Sequence, residues 1–439
     1  MGHWKTVAIA AGAVLFVVVA ALGGMAAAAL GPGHPLVVLL VVTPAPILYG
    51  LLFVKTWHRA LFALSVLYLT ASLILVVAVW GVGWAASERL RDGGLGREVT
   101  ARIYDLEVVS VSSGSVVLMK TDLTEDNSPW LADGLWGLES QSGGYNRVGA
   151  ILKQDGLQVE RELVPVSVGG LDTGEMVRMD SWAYEGNPQT GLDIPYQDVT
   201  YESPLGTFPA WLVGNGSRTW AVFVHGKGSG LGQGLRVLRT LADLSMPTLF
   251  ITYRNDDGVP TSPDGFYRYG ATEWEDLEGA VQYALDHGAQ EVVLIGYSMG
   301  GAIIMGFLEH SPLAANVAGV VLDAPMLSFA STVDFGGREE GHPRLAVVVG
   351  KAVSRYRFEV DWGAVDYLQR ADNLSVPVLL IHGDADKRVP IETSETLAQA
   401  RPDLVIYMRF PGAPHVAAWN FDPASYERVL RDFLAGLAK

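Results

Sequence analysis

Ser298 sits in Gly296-Tyr297-Ser298-Met299-Gly300, directly after the apolar run 292–295 and directly before a helix-like stretch at 302–309. A strand, a sharp glycine-flanked turn and a helix in that order lift a serine hydroxyl clear of a parallel sheet, where it can act as a nucleophile. A side chain at position 296 or 300 would crowd such a strained turn. Alone the pattern is weak, because a chain with 50 glycines produces chance matches. A serine hydroxyl also needs a base to take its proton, and that base needs a partner to orient it. With no cysteine in the chain, disulfides, thiol nucleophiles and thiolate metal sites are excluded.

The elements around Ser298 have to place such partners. From about residue 195 onward, strand signals at 219–225, 248–253, 291–297, 318–323, 378–382 and 405–410 alternate with helical patterns. In the helical pattern 272–286, Trp274, Leu277, Val281 and Leu285 share one face. An antiparallel pair at 197–202 and 208–213, turned around Pro204-Leu205-Gly206, opens the region. This alternation implies right-handed crossovers and a mostly parallel, doubly wound sheet covered on both faces. In such sheets the reactive groups gather beyond the carboxyl ends of the strands. Those ends hold His225-Gly226, Tyr253-Arg254, Ser298, Asp323, Asp384, Asp386 and the loop 411–415 that finishes on His415. A serine, an acid and a histidine therefore arrive in that chain order.

With these residues, the stretch 195–439 resembles the α/β-hydrolase fold family of serine hydrolases, which includes esterases, lipases and peptidases and whose triad runs Ser, then Asp or Glu, then His. The resemblance implies Ser298 as nucleophile and His415 as general base. The family's His-Gly-x-x-Asp-x-x-Val-Pro stands here as His382-Gly383-Asp384-Ala385-Asp386-Lys387-Arg388-Val389-Pro390, which makes Asp386 the acid. Asp384 and Asp323 remain alternatives for that role, the first competing with a turn carboxylate and the second with a structural one. The same resemblance implies two backbone donors for an oxyanion, the N–H groups of Met299 and of Lys227 in His225-Gly226-Lys227-Gly228. The Lys227 ammonium group meets an anionic part of the substrate or is simply solvated. His225 and His382 are read as structural hydrogen-bonding residues, and Asp256-Asp257 as a solvated turn rather than a cation site.

No cofactor or metal is expected, since the glycines at 226–234 match neither a P-loop nor a dinucleotide fingerprint. A cap belongs between Pro325 and Pro377, where Phe329, Phe335, Tyr356, Phe358, Trp362 and Tyr367 line an acyl pocket or form the cap's own core. Tyr253, Phe266, Tyr267 and Tyr269 suggest an aromatic wall opposite.

The first 84 residues hold three of the 31 basic residues (Lys5, Lys55 and Arg59) and none of the 47 acidic ones. Three apolar stretches at 6–30, 36–54 and 60–84 are each near the ~20 residues that cross a bilayer. The first competes with a cleaved signal peptide. The second is broken by Pro44 and Pro46 and could be re-entrant. The third carries Trp80 and Trp84 as interfacial anchors. If all three span, the basic residues share one side and the domain after Trp84 lies outside the cytoplasm, the favoured reading; if the proline-broken stretch does not cross, two spans return that domain to the cytoplasm. The rest of the chain is strongly acidic, which argues against nucleic acid or an anionic membrane surface as the main binding target. The domain division is thus 1–86 a transmembrane region of two to three helices, 87–98 a polar linker, 99–194 a small mostly-β module and 195–439 the catalytic domain. The whole reads as a membrane-anchored serine hydrolase that cleaves carboxylic esters, lipid-derived ones among them, through an acyl-enzyme on Ser298. A serine peptidase and a catalytically silent receptor or scaffold stand as the alternatives.

Overall fold

The computed structural model describes residues 58–97, 102–121, 129–168 and 170–437. The expected spans 6–30 and 36–54 lie outside the described residues. Two compact units result, one joining Met1–Leu95 to Gly337–Trp362 and the other formed by Gly96–Gly336 and Gly363–Lys439.

In the larger unit, six antiparallel strands close into a barrel: β1 (Leu106–Val111), β2 (Ser115–Lys120), β3 (Trp136–Ser140), β4 (Tyr145–Asp155), β5 (Gln158–Val168) and β6 (Met176–Asp180), in the order β1-β2-β5-β4-β3-β6. Closure removes free sheet edges and buries Leu106, Val108, Val116, Leu118, Leu138, Val148 and Val177 in a common core. The small β module is therefore a barrel. The stretch 121–147, whose sequence shows no strand period, contains β3. All five of its residues are buried, so it lacks the alternation that marks a half-exposed strand, and Glu139 is held by Arg102, Tyr104 and Arg178.

The eight remaining strands form one sheet in the order β14-β13-β12-β11-β9-β10-β8-β7. The hairpin β7 (Tyr196–Ser203) and β8 (Gly206–Val213) runs antiparallel at one edge. The strands β9 (Thr219–Val224), β10 (Thr248–Ile251), β11 (Glu291–Tyr297), β12 (Val317–Asp323), β13 (Val378–Gly383) and β14 (Val405–Phe410) are parallel. β9, β10, β11 and β13 are almost wholly buried, as expected of runs covered on both faces. This is the α/β-hydrolase fold, preceded by the barrel.

The smaller unit contains the helix His58–Arg89 and the helix Arg344–Phe358. Thr70–Leu95 is long and apolar enough to cross a bilayer by length and composition, and it is the one such segment among the described residues. Two expectations change here. Residues 87–95, read as a polar linker, continue helically as far as Arg89 and then as a π-helical turn, Leu90–Leu95. The turn of polar side chains is held in place: Arg357 donates to Ser87 Oγ at 2.7 Å and to Glu88 at 2.5 Å, and Arg91 bridges back to Glu88. Residues 337–362, read as part of the catalytic domain's cap, pack instead on the apolar helix. Tyr356 meets Trp80 edge-on and the Arg357 guanidinium lies 3.4 Å from the centre of the Trp84 ring, so Tyr356, Phe358 and Trp362 belong to this helical unit rather than to an acyl pocket wall.

Candidate active site

Ser298 follows β11 directly and begins the helix Met299–His310, with φ +51° and ψ −114°. A non-glycine residue held there carries roughly 1–3 kcal/mol of strain, and it persists only where neighbours over-determine it. The Ser298 N–H donates to the Asp323 carbonyl at 2.9 Å, and its own carbonyl accepts from Met326 and Gly301. The flanking glycines allow the close approach: a Cβ on Gly296 would stand 2.8 Å from the Gly300 backbone, and one on Gly300 would run into the carbonyl of Val224.

The loop after β14 brings His415 to Ser298. His415 Nε2 lies 2.9 Å from Ser298 Oγ, and His415 Nδ1 donates to Asp386 Oδ2 at 2.7 Å. Asp386 Oδ1 accepts the backbone N–H groups of Arg388 and Val389 at 2.7 and 2.9 Å, while Oδ2 also accepts from His382 Nε2 at 3.1 Å. His382 is in turn fixed by Ser394 Oγ on Nδ1. Burial by itself raises the pKa of the Asp386 carboxyl. The His415 charge and the hydrogen bonds from both imidazoles outweigh this and hold it well below the usual carboxylate range. A hydroxyl, an imidazole and an ionised carboxylate in this line can move a proton from Oγ to Nε2 as Oγ attacks a carbonyl carbon.

The other two acids of the sequence reading are engaged elsewhere. Asp384 accepts from the Gly412 N–H at 2.6 Å and pairs with Arg409, as a turn carboxylate does. Asp323 is buried and accepts from the Tyr426 hydroxyl at 3.1 Å; burial pushes its pKa up. Asp256 pairs with His225 and Asp257 with Arg97, and no group of metal-ligating residues occurs among the described residues. The aromatic wall is largely core: Tyr253 stacks on His225, the Tyr267 hydroxyl donates to the Asn255 carbonyl, and Tyr269 stacks on Phe329.

The loop after β9 reaches the serine from the other side, where a Cβ on Gly226 would lie 3.3 Å from Ser298 Cβ. The loop is anchored by buried groups. Gln233 Oε1 accepts the Gly226 N–H at 2.8 Å. His225 Nδ1 donates to the Gly226 carbonyl at 2.8 Å and Nε2 donates to Asp256 at 2.9 Å, so both ring nitrogens face acceptors. In a trans peptide the carbonyl and the next N–H point in opposite directions, so fixing the Gly226 carbonyl also fixes the aim of the Lys227 N–H. Burial lowers the His225 pKa, but Asp256 and these hydrogen bonds prevail and leave it raised. A raised histidine contributes stability that is complete below its unfolded value, about 6.5, and is lost as pH rises through the folded value. Wild-type protein should therefore lose more urea resistance between pH 6 and pH 9 than Asp256→Asn does. Identical pH slopes would show that His225 is not held as the cation.

The sequence did not reveal how the histidine loop is fixed. Val416, beside His415, has φ +52°, an outlier for a β-branched residue. The buried Arg236 donates to the Val416 carbonyl at 2.7 Å and to Asn420 Oδ1 at 2.8 Å. Asn420 Nδ2 in turn donates to the carbonyls of Leu135 and Ser181, at 2.8 and 2.9 Å, on the two sides of the barrel segment 135–181. Ala417 is buried in the barrel core and Phe421 packs edge-on against Trp136. The barrel thus supports the segment that carries His415. The one signal for it was an arginine placed among Leu235, Val237 and Leu238. A displacement of 1 Å in a reacting group can cost about 10²-fold. Asn420→Ala should accordingly lower kcat on the order of 10²-fold with little change in KM; an unchanged kcat in folded protein would remove the barrel from the support of His415.

Two families match parts of the chain. Residues 107–180 match a domain of unknown function, DUF8805, and residues 263–438 match the prolyl oligopeptidase family. The first match covers the barrel, and the second contains Ser298, Asp386 and His415. Of curated proteins, the uncharacterized protein YfhR of Escherichia coli O157:H7 is 26% identical over 140 residues, 32% of this chain and 43% of that protein. YfhR of Salmonella typhimurium is 24% identical over 230 residues, 48% of this chain and 68% of that protein. The chain thus spans under half the length of the first of these relatives. An esterase of Pyrococcus furiosus aligns with a TM-score of 0.46 at 20% identity, over 57% of this chain and 96% of that one.

Proposed function

We propose that this chain is a membrane-tethered serine hydrolase that cleaves carboxylic esters, lipid-derived ones among them, through an acyl-enzyme on Ser298. The observation that carries this reading is the position of His415, 2.9 Å from Ser298 Oγ and 2.7 Å from Asp386. In the first half-reaction Ser298 Oγ bonds to the ester carbon, its proton passes to His415 Nε2, and Asp386 stabilises the imidazolium. The carbonyl oxygen takes up negative charge beside the N–H groups of Met299 and Lys227. Met299 opens its helix, so its N–H has no acceptor within the helix and stands at the positive end of the helix dipole. As the ester C–O bond breaks, His415 returns the proton to the leaving alcohol. Water then repeats the sequence on the acyl-enzyme, releasing the acid and restoring Ser298. The tether is the apolar helix Thr70–Leu95.

The prolyl oligopeptidase match favours a second reading, a serine peptidase using the same residues. Full-length protein in detergent, given p-nitrophenyl esters of graded acyl length and a panel of peptide anilides, separates the two. Turnover of esters alone supports the first reading and turnover of anilides alone the second. Failure of a fluorophosphonate probe to label Ser298 would overturn both and leave a silent binding protein.

A further inference from the structure

We propose that His225 is a positioning residue that aims the Lys227 N–H at the oxyanion only while both ring nitrogens carry protons, so that turnover fails at alkaline pH through loss of that donor. This rests on the reading of Ser298 as an acyl-forming nucleophile and of Lys227 as an oxyanion donor, and adds the group that switches the donor on.

A neutral imidazole donates from one nitrogen only. In this buried ring Nδ1 meets the Gly226 carbonyl at 2.8 Å and Nε2 meets the Asp256 carboxylate at 2.9 Å, so both contacts are hydrogen bonds only when the ring carries two protons against an ionised Asp256. Burial by itself would strip the second proton. The Asp256 charge and the two acceptors outweigh it and leave the His225 pKa raised. Tyr253, on the loop after β10, stacks on the ring with centroids 4.5 Å apart and donates its hydroxyl to the His225 carbonyl, and burial keeps that phenol neutral. Tyr267 and Arg97 reach the pair through Asp256, the first as a neutral phenol and the second as a cation already hydrogen-bonded to Asp257.

When rising pH removes one proton, the other stays on Nε2, because a carboxylate accepts more strongly than a carbonyl. Nδ1 then presents a lone pair to the Gly226 oxygen at 2.8 Å, and the carbonyl turns away. The Lys227 N–H turns with it, since the two belong to one rigid peptide plane. The oxygen's other donor, the Ser229 N–H at 3.1 Å, sits in the same short turn and moves with it, whereas His225 and Asp256 tie that turn to the loop after β10. The peptide stands at the reacting centre, where a Cβ on Gly226 would lie 3.3 Å from Ser298 Cβ. Two substitutions separate aiming from packing. Asparagine carries its amide nitrogen on Cγ, as histidine carries Nδ1, and keeps a donor for the Gly226 carbonyl that does not titrate in this range. Glutamine carries its nitrogen one bond further out, where it keeps the Asp256 contact and leaves the Gly226 carbonyl without its donor.

Full-length protein in detergent, shown folded by circular dichroism, is assayed on p-nitrophenyl butyrate from pH 6 to pH 10, with the rate of fluorophosphonate labelling at Ser298 measured alongside. In wild type, kcat should rise as His415 becomes able to accept a proton and then fall toward a level about 10²-fold lower as His225 loses its second proton, with KM nearly constant. Asp256→Asn should move that fall to lower pH, and His225→Asn should abolish it. His225→Gln should lower kcat about 10²-fold at every pH. A wild-type kcat that keeps its plateau to pH 10 would overturn the proposal, as would a fall that stays in place in Asp256→Asn and His225→Asn. Labelling without ester turnover would overturn the ester reading alone, and the labelling rates, which should show the same alkaline fall and the same order of variants, then decide the proposal. A Ser298 that takes neither ester nor probe would overturn the proposed function and the proposal with it.

Discussion

Ser298→Ala is expected to lower kcat/KM for an activated ester on the order of 10⁶-fold, equivalent to roughly 8 kcal/mol of barrier. The loss is this large because the oxygen is the group that bonds to the substrate, and no other hydroxyl is placed against His415 Nε2 in the described residues. Alanine removes one atom and leaves the β11 turn its backbone contacts: the residue's N–H still reaches the Asp323 carbonyl and its carbonyl still accepts from Met326. Thermal stability should therefore change little while turnover and fluorophosphonate labelling both disappear. Undiminished ester turnover by this variant would sink the proposed function.

Asp386→Asn is expected to lower kcat about 10⁴-fold, roughly 5 kcal/mol, with KM nearly unchanged. Asp386 is surrounded by four donors, two backbone N–H groups on Oδ1 and two imidazoles on Oδ2. An amide has one acceptor oxygen, so its NH₂ must face either the backbone pair or the two histidines. If it faces the histidines, His415 Nδ1 becomes an acceptor, the proton moves to Nε2, and the ring no longer accepts from Ser298. If it faces the backbone, the buried N–H of Val389 and the part-buried N–H of Arg388 lose their partner, the buried one at a cost of about 1–3 kcal/mol. Asp384→Asn is the matched control, because that carboxylate serves Gly412 and Arg409 at a turn. It should keep its rate within a factor of a few. A loss in Asp384→Asn as large as in Asp386→Asn would reassign the acid.

Much of the parallel sheet was legible because its strands are continuous β-branched and apolar runs bounded by glycine, proline and aspartate. The sequence limits 291–297 and 405–410 coincide with β11 and β14, and 318–323 falls one residue short of β12. The elbow was legible for a local reason: its glycines are demanded by contacts with residues next in chain or on the adjoining strand. The strand β3 was not legible, since closure of a barrel buries both its faces and erases the period of two. The destination of 337–362 was not legible either. The small residues Gly83, Ala86 and Gly350 have no pattern of their own until two helices more than 240 residues apart are brought together.

The sequence by itself therefore determined the sheet, the turn at Ser298 and the chain order of serine, acid and histidine, because propensity, apolar period and turn chemistry act within a few residues. Tertiary structure decided which acid meets His415, how Arg236 and Asn420 hold Val416 in its strained conformation, and what His225 does beneath the Gly226 loop. Except for the bond from His225 to the adjacent Gly226, those are hydrogen bonds between groups 29 to 184 residues apart. Their partners are chosen by the cost of leaving a buried donor or acceptor unpaired, which exists only once the fold has excluded water.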